Sequence, residues 1–434
     1  MHFLCYNSVF QQLTYDGKEL RGRTLNRVLA LVGAAICLLS LIACGGSNNQ
    51  TYTTSNGNTI SNPKNSITNR AYISNQYSGN LQIVDTANDT TAFYSSSYTY
   101  TQTTNQIADL SVNIPVGVSA TLLARSPSGA ITAAYDPANL TVEFVDNTTQ
   151  TATSSVTVPA WTGMLLYSTD STKLYAPTGN SNAIQVIDVV NFVISTTYTV
   201  PSVRWIALNP AGTMILAFAD NSDSMWLINL GASTITPVEI PGFSRPVNAF
   251  FSSDGNTAYV LNCGSQCGGT APPSVAQFNM TSQAITATVQ VGGATVGLLN
   301  SNNLYVAGYA GGANGTLDVV DISSMTRTTA NSILINDGQQ WKMALNNNKL
   351  YIGAKTCSNT VTGCLSVVNL TTQTADAPLP PNGPVTGILS IPNRTTMYVI
   401  QGGMLYIYDT TTDQLQKTQL AFRGALYDLV QIDQ

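Results

Sequence analysis

The side chains that most often perform catalysis are scarce in this chain of 434 residues. Only one histidine is present, His2, and 9% of the residues are charged. Histidine supplies the base of Ser-His-Asp and Cys-His catalysis and is the commonest metal ligand. Any reaction would therefore depend on Asp, Tyr, Lys or Arg, or on the few glutamates.

The N-terminal segment has the pattern of an export signal. Four basic residues between Lys18 and Arg27 precede an apolar run over residues 28–43, which ends directly before Cys44. Small residues before a cysteine at this place resemble the bacterial lipobox. The resemblance implies that residues 1–43 are a signal peptide and that Cys44 becomes the acylated N-terminus, with palmitate among its acyl groups. An uncleaved signal anchor is the alternative, because the run approaches the length of a membrane span.

The lipobox resemblance also implies a location. Gly45 stands where inner-membrane lipoproteins often carry aspartate, so we expect the outer membrane of a bacterial envelope, on its periplasmic or surface face. Residues 44–69 consist mostly of Asn, Thr, Ser and Gly. This composition predicts a flexible tether between the lipid and a folded domain, with an ordered first strand as the alternative.

Removal of residues 1–43 makes the net charge more negative and removes the only histidine. Four basic and two acidic residues leave, so 13 basic residues face 20 acidic ones, a net charge of −7, and no histidine remains. This excludes histidine-dependent catalysis and histidine-ligated metal sites, and it does not favour nucleic-acid binding. We expect no metal and no cofactor, since no cofactor-binding motif is visible. Glu143 and Glu239 are the only glutamates left.

The rest of the chain, residues 70–434, is built from a repeat. Two apolar or aromatic residues followed by Asp or Asn recur at intervals of about 40 to 60 residues, usually after a strand centred on an aromatic residue. An Asp or Asn that ends a strand accepts hydrogen bonds from the following turn, so we expect a structural role for these positions. They are Asp85, Asp146, Asp188, Asn229, Asn279, Asp321, Asn369 and Asp409.

Each repeat predicts four short strands joined by tight turns, which is one blade of a β-propeller. Segments such as 126–129, 186–188 and 304–306 resemble the YVTN-type repeat of surface-layer and lactonase-like bacterial proteins. The resemblance implies an all-β fold over residues 70–434 but no single task, because such folds serve many functions. Counting innermost strands predicts eight four-stranded blades, with seven as the alternative. The C-terminal strand is expected to complete the N-terminal blade and close the ring.

The four cysteines after Cys44 form two local pairs, Cys263 with Cys267 and Cys357 with Cys364. Even pairing in an exported chain predicts disulfides, whereas zinc is disfavoured because the C-x2-C spacing is missing. Each pair lies between the aromatic strand and the next strand of its repeat. The loops are either stapled insertions or constrained binding loops.

Recognition by a propeller is expected at the entrance of its central channel. Residues at the starts of the innermost strands would face it, and aromatic and arginine side chains there suit a sugar ring, a peptide or an acidic group. Alternatively the tryptophans pack between blades, because facing direction alternates along a strand. The predicted entrance residues are Trp161, Arg204, Trp205, Arg245, Asn248, Gln340, Trp341, Lys342 and Arg423.

Two functions follow from these patterns. The scarcity of catalytic side chains favours a non-catalytic, monomeric, lipid-anchored propeller that binds a protein or glycan partner or acts as a scaffold. The repeat resemblance also permits a lactonase-like hydrolase or a metal-dependent enzyme in the channel. Convergence of Asp and Arg side chains in one pocket would favour the enzyme.

Overall fold

Eight antiparallel sheets follow one another along the chain, each with four strands from the channel outwards. They are seen in a computed structural model that describes residues 52–53, 59–60, 67, 69–91, 113–309, 314–358, 364–375, 383–417 and 425–433. The predicted eight-bladed β-propeller is confirmed. Residues 1–43, Cys44 and Arg423 lie outside the described residues.

The blades are numbered from the N-terminus, and their strands run from innermost to outermost. In the first four blades they are, for blade 1, Leu426–Gln431, Arg70–Asn75, Asn80–Asp85 and Thr90–Thr91; for blade 2, Leu123–Arg125, Ile131–Asp136, Thr141–Asp146 and Thr151–Thr157; for blade 3, Leu166–Tyr167, Lys173–Thr178, Ala183–Asp188 and Val193–Thr199; and for blade 4, Val203–Leu208, Met214–Ala219, Ser224–Asn229 and Val238–Pro241. In the other four they are, for blade 5, Pro246–Phe251, Thr257–Asn262, Ser274–Asn279 and Ala284–Gln290; for blade 6, Val296–Asn300, Asn303–Gly308, Gly315–Asp321 and Thr326–Arg327; for blade 7, Gln340–Asn346, Lys349–Ala354, Leu365–Asn369 and Thr374–Ala375; and for blade 8, Val385–Ser390, Thr396–Gln401, Met404–Asp409 and Gln414–Lys417.

Two blades have a divided outer edge. In blade 1 the additional strand Asn113–Pro115 pairs with the third strand, and in blade 6 Ile333–Ile335 does the same. Short 3-10 turns occur at Gly179–Ser181 and Gly264–Cys267. Within the described ranges, no helix combines the length and apolarity needed to cross a bilayer.

Burial follows the position of a strand in its blade. The second strand of blade 3, Lys173–Thr178, is buried at every position after the first, whereas the outermost strand, Val193–Thr199, is mostly exposed. Middle strands are covered on both faces by the neighbouring blades, so they are apolar without alternation. The core therefore lies between neighbouring blades. For example, the ring centroids of Phe144 in blade 2 and Phe192 in blade 3 are 5.0 Å apart.

The repeated Asp and Asn side chains hold the turns after the third strands. Asp188 accepts hydrogen bonds from the amides of Val190 and Asn191 at 2.8 and 2.9 Å. Asn279 accepts equivalent bonds from Thr281 and Ser282 at 2.9 and 2.8 Å. The amide oxygen of Asn can replace the carboxylate here, which confirms the structural role expected from the sequence.

In blades 1, 3 and 8 the fourth residue after the turn position contacts the preceding blade. In blade 1 this residue is Asp89, which accepts a hydrogen bond of 2.6 Å from the Tyr398 hydroxyl of blade 8 and pairs with Arg394 at 2.7 Å. In blade 8 it is Asp413, which pairs with Lys349 and accepts a bond of 3.2 Å from Tyr351 of blade 7. The aromatic strand and the turn thus join neighbouring blades.

The first and last strands close the ring as predicted. Leu426–Gln431 pairs antiparallel with Arg70–Asn75 as the innermost strand of blade 1. Before the propeller, Tyr52–Thr53 pairs antiparallel with Thr59–Ile60. The assignment of residues 44–69 as a tether stays a prediction.

Candidate functional site at the channel entrance

One face of the propeller carries both the starts of the innermost strands and the loops from second to third strands. This follows from the antiparallel order, because a chain that descends the innermost strand returns to the same face along the second. Both disulfides lie in such loops. Cys263–Cys267 belongs to blade 5 and Cys357–Cys364 to blade 7, with Cα atoms 5.5 Å apart in each pair. Disulfides of this kind indicate a compartment outside the cytoplasm.

A cavity of about 90 Å³ opens on this face and is formed by blades 4 to 7. Four of the predicted entrance residues line it, namely Arg204, Trp205, Gln340 and Trp341. Its other lining residues are Phe218, Ala219, Asp220, Pro246, Val247, Cys267, Thr295, Gln339 and Lys355.

A repeated β-bulge sets the direction of the entrance side chains. The pairing of the innermost strand with the second shifts register around Arg204 in blade 4, Val247 in blade 5 and Trp341 in blade 7. Each is an extra residue in its strand, and such bulges re-aim side chains and interrupt strict alternation. Consecutive residues, such as Arg204 and Trp205, can therefore line the same cavity.

Trp341 is fixed in place by its neighbours. Its indole N–H donates a hydrogen bond of 2.6 Å to the carbonyl oxygen of Val385 in blade 8. Its ring stands edge-on to that of Tyr427 at 6.4 Å. The amines of Lys342 and Lys355 lie 5.0 and 4.0 Å from its ring centroid. The indole ring is thus held in place, and the amines of two lysines lie against it.

Two carboxylates pair with cations at the entrance. Arg204 donates to both carboxylate oxygens of Asp220 at 3.2 and 3.3 Å, and both side chains are substantially exposed. The Lys342 amine donates to Asp428 at 3.0 Å, which links blade 7 to blade 1 past blade 8. The Asp428 carboxylate also accepts the amide hydrogen of Leu123 at 3.1 Å, so it is held on both sides.

Lys355 is the entrance residue that the sequence patterns missed. It directly follows the second strand of blade 7, and no carboxylate pairs with its amine among the described residues. Burial, together with the positive charges of Arg204 and Lys342, lowers the pKa of this amine to about 8. Its position directly after an aromatic strand was the available signal, because every second strand ends at this face.

The other predicted residues take different positions. Trp161 is 49% exposed, and its ring packs against Gly163 beside blade 4. Arg245 contacts Asp223 at 3.7 Å and donates to the Gly268 carbonyl at 3.4 Å, so it supports the blade 5 disulfide loop. Asn248 accepts the amide hydrogen of Ala249, within its own strand.

Gln340 lines the cavity but is almost fully buried. Its side-chain amide donates a hydrogen bond of 2.7 Å to the carbonyl oxygen of Asn336. In the described part of the chain, no group of three or more His, Cys, Asp or Glu side chains could hold a metal ion. The site is therefore a small, cationic and aromatic cavity with one Arg–Asp pair at its rim.

Comparison with known proteins supports the fold. No family model and no curated protein matches the chain. The solved structure of dihydro-heme d1 dehydrogenase NirN is similar, with a TM-score of 0.64 and 11% identity over 84% of this chain and 75% of that one.

Two further solved structures are similar at a lower level. The β-propeller domain of Cps50 (Swd1) from Myceliophteria thermophila has a TM-score of 0.51 and 12% identity, over 67% of this chain and 96% of that one. A functionally unknown protein from Desulfotomaculum acetoxidans has a TM-score of 0.51 and 14% identity, over 71% and 94%. At such low identity these likenesses show that the chain has a β-propeller fold, and the fold alone.

Proposed function

We propose that the chain is a lipoprotein of the bacterial cell envelope whose propeller binds a protein or glycan partner at the channel entrance, without catalysing a reaction. The lipobox-like segment before Cys44 supports the anchor. The two disulfides support a compartment outside the cytoplasm. The YVTN-like repeats agree with a location in the cell envelope. We propose that the protein is a monomer, because a lipid anchor attaches a single chain to the membrane.

One observation carries the binding proposal. The lining of the cavity combines two indole rings with two cations, Trp205 and Arg204 from blade 4 and Trp341 and Lys355 from blade 7. Aromatic and cationic side chains in a partly water-excluded concavity are typical of recognition sites. All four come from paired strands or their ends, so the site is preorganised.

The Arg204–Asp220 pair favours a second candidate, a lactonase-like hydrolase. A carboxylate beside a cavity could orient a water molecule, and a neighbouring guanidinium could stabilise negative charge on a lactone carbonyl. Asp220 is 53% exposed, and both of its carboxylate oxygens already accept hydrogen bonds from Arg204. For this reason binding is the preferred function.

The binding proposal is tested with full-length protein in detergent micelles, immobilised and exposed separately to solubilised envelope protein and envelope polysaccharide. We expect one fraction to be retained by the wild type and lost with Trp205→Ala, which removes an indole ring that lines the cavity. The matched control is Leu334→Ala, which truncates a side chain 60% exposed on the outer edge of blade 6. Equal retention by both variants would contradict entrance binding. Lactone hydrolysis abolished by Asp220→Asn would establish the enzyme instead.

A further inference from the structure

The charges at the channel entrance are unbalanced. Three cations gather on one side, Arg204 from blade 4 and Lys342 and Lys355 from blade 7. Asp220 faces Arg204, and Asp428 faces Lys342. The Lys355 amine faces the Trp341 ring instead of a carboxylate.

This arrangement disfavours the charged form of Lys355. A half-buried ammonium loses hydration, and the neighbouring Arg204 and Lys342 disfavour its charge. The indole face offsets part of this cost. A bound anion would offset the rest, because it would supply a counter-charge that the described residues do not place beside the Lys355 amine.

We propose that the cavity binds the carboxylate of an acidic glycan, with that carboxylate against the Lys355 amine. The inference rests on the proposed function and names the ligand class for the same site. A cavity of about 90 Å³ accommodates a carboxylate and its adjoining atoms, so the rest of the ligand lies outside. The half-exposed indole of Trp161 lies against Gly163, close to the backbone of the cavity residue Arg204, and an exposed indole suits the C–H groups of a sugar ring.

Binding is then coupled to protonation. The charged form of Lys355 attracts the carboxylate and the neutral form does not, while a uronate stays ionised above pH 6. The other charged groups near Lys355 are Arg204, which pairs with Asp220, and Lys342, which pairs with Asp428. Affinity should therefore fall as the pH rises through the Lys355 pKa of about 8.

The test is calorimetric titration of the full-length protein in detergent micelles with trigalacturonic acid, at constant ionic strength between pH 6 and pH 10. The fully methyl-esterified trisaccharide is the matched probe, because it keeps the rings and removes the charge. We expect binding of the acid and at least about tenfold weaker binding of the ester at pH 6.

Three variants assign the effect to Lys355. Lys355→Met should weaken binding of the acid about tenfold at pH 6 and remove the pH dependence. Lys355→Arg keeps the charge, so it should bind at pH 10 as well as at pH 6. Lys173→Met makes the same charge change at the opposite face of blade 3 and should bind like the wild type. Equal melting temperatures exclude unfolding as the cause.

The outcomes are distinct. Equal affinity for acid and ester, or unchanged affinity in Lys355→Met, would overturn the carboxylate inference, while entrance binding would still be judged by the Trp205→Ala experiment. Tighter, Lys355-dependent binding of tri-glutamate than of trigalacturonic acid would overturn the glycan class and favour an acidic protein partner. Loss of acid binding in Lys355→Met together with its retention in Lys173→Met would support the inference.

Discussion

Arg70 and Asp433 form a two-pronged ion pair, in which Nε and one terminal nitrogen of the guanidinium each donate a hydrogen bond of 2.7 Å to a different carboxylate oxygen. The two residues are 363 positions apart in the chain. Asp433 also accepts the backbone amide hydrogen of Arg70 at 2.8 Å, and Arg70 donates to the Asn147 carbonyl of blade 2 at 2.6 Å. The pair therefore fastens both chain ends of the propeller to each other and to the next blade.

Asp433→Ala should lower the free energy of unfolding by about 2 kcal/mol, because it leaves a half-buried guanidinium without its carboxylate. Chemical denaturation of the full-length protein measures this loss. The control is Glu239→Ala, which removes an exposed acidic side chain from the outer edge of blade 4 and should change stability by less than about 0.5 kcal/mol. Equal midpoints for the two variants would contradict the role of the pair in closure.

Acid should destabilise the protein through its turn carboxylates. The amide of Asn191 holds the pKa of Asp188 below its usual range, and the Ser323 hydroxyl does the same for Asp321. A lowered pKa in the folded state contributes stability above the unfolded value of about 3.9, and this is lost as the pH falls through the folded value.

The double variant Asp188→Asn, Asp321→Asn isolates this effect. It should keep its stability at pH 7, because Asn279 makes the same amide contacts in blade 5. Between pH 5 and pH 2 it should lose less stability than the wild type. A pH profile that follows that of the wild type would show that these carboxylates do not govern acid unfolding.

Each disulfide should stabilise its loop. Replacement of Cys357 and Cys364 by serine should lower the free energy of unfolding by about 2 kcal/mol, through the greater freedom of the unfolded chain. The Lys355 amine lies just before this loop, so carboxylate binding should weaken too. The Cys263→Ser, Cys267→Ser variant should lose a similar amount of stability. Mass spectrometry of unreduced peptides that showed free thiols at all four positions would contradict both bonds.

Cys44→Ala should release the protein from the membrane. The acyl chains provide the attachment in our proposal, and Cys44→Ala removes the thiol that would carry them. Membrane fractionation and metabolic labelling with palmitate measure the effect, and Ser47→Ala serves as the control. Unchanged membrane association and labelling in Cys44→Ala would refute the lipoprotein assignment.

The fold could be predicted because its signals are local. An Asp or Asn after a strand, an aromatic residue in the strand before it, and a turn between them recur in each blade, and the unpaired last strand left one way to close the ring. The site depends on contacts between distant blades. The positive charge of Arg204 in blade 4 helps to lower the pKa of Lys355 in blade 7. The repeat pattern in the sequence does not show that these two residues are close in space.

The directions of the entrance side chains could not be predicted from the sequence either. The bulges at Arg204 and Trp341 interrupt the alternation on which a facing argument depends. The Asn336 carbonyl engages the side chain of Gln340, and Asn248 bonds within its own strand. Both hydrogen bonds are made to backbone groups, and the positions of those groups are defined only in the folded chain.

The central claim, that the channel entrance is the ligand site, is tested most directly by amine footprinting with a lysine-specific acylating reagent at pH 8. Labelling rates of Lys355 and Lys173 are compared with and without saturating trigalacturonic acid. The account predicts slower labelling of Lys355 in the presence of the acid and an unchanged rate at Lys173. Unchanged labelling of Lys355 while the acid is bound would place the ligand elsewhere and contradict the account.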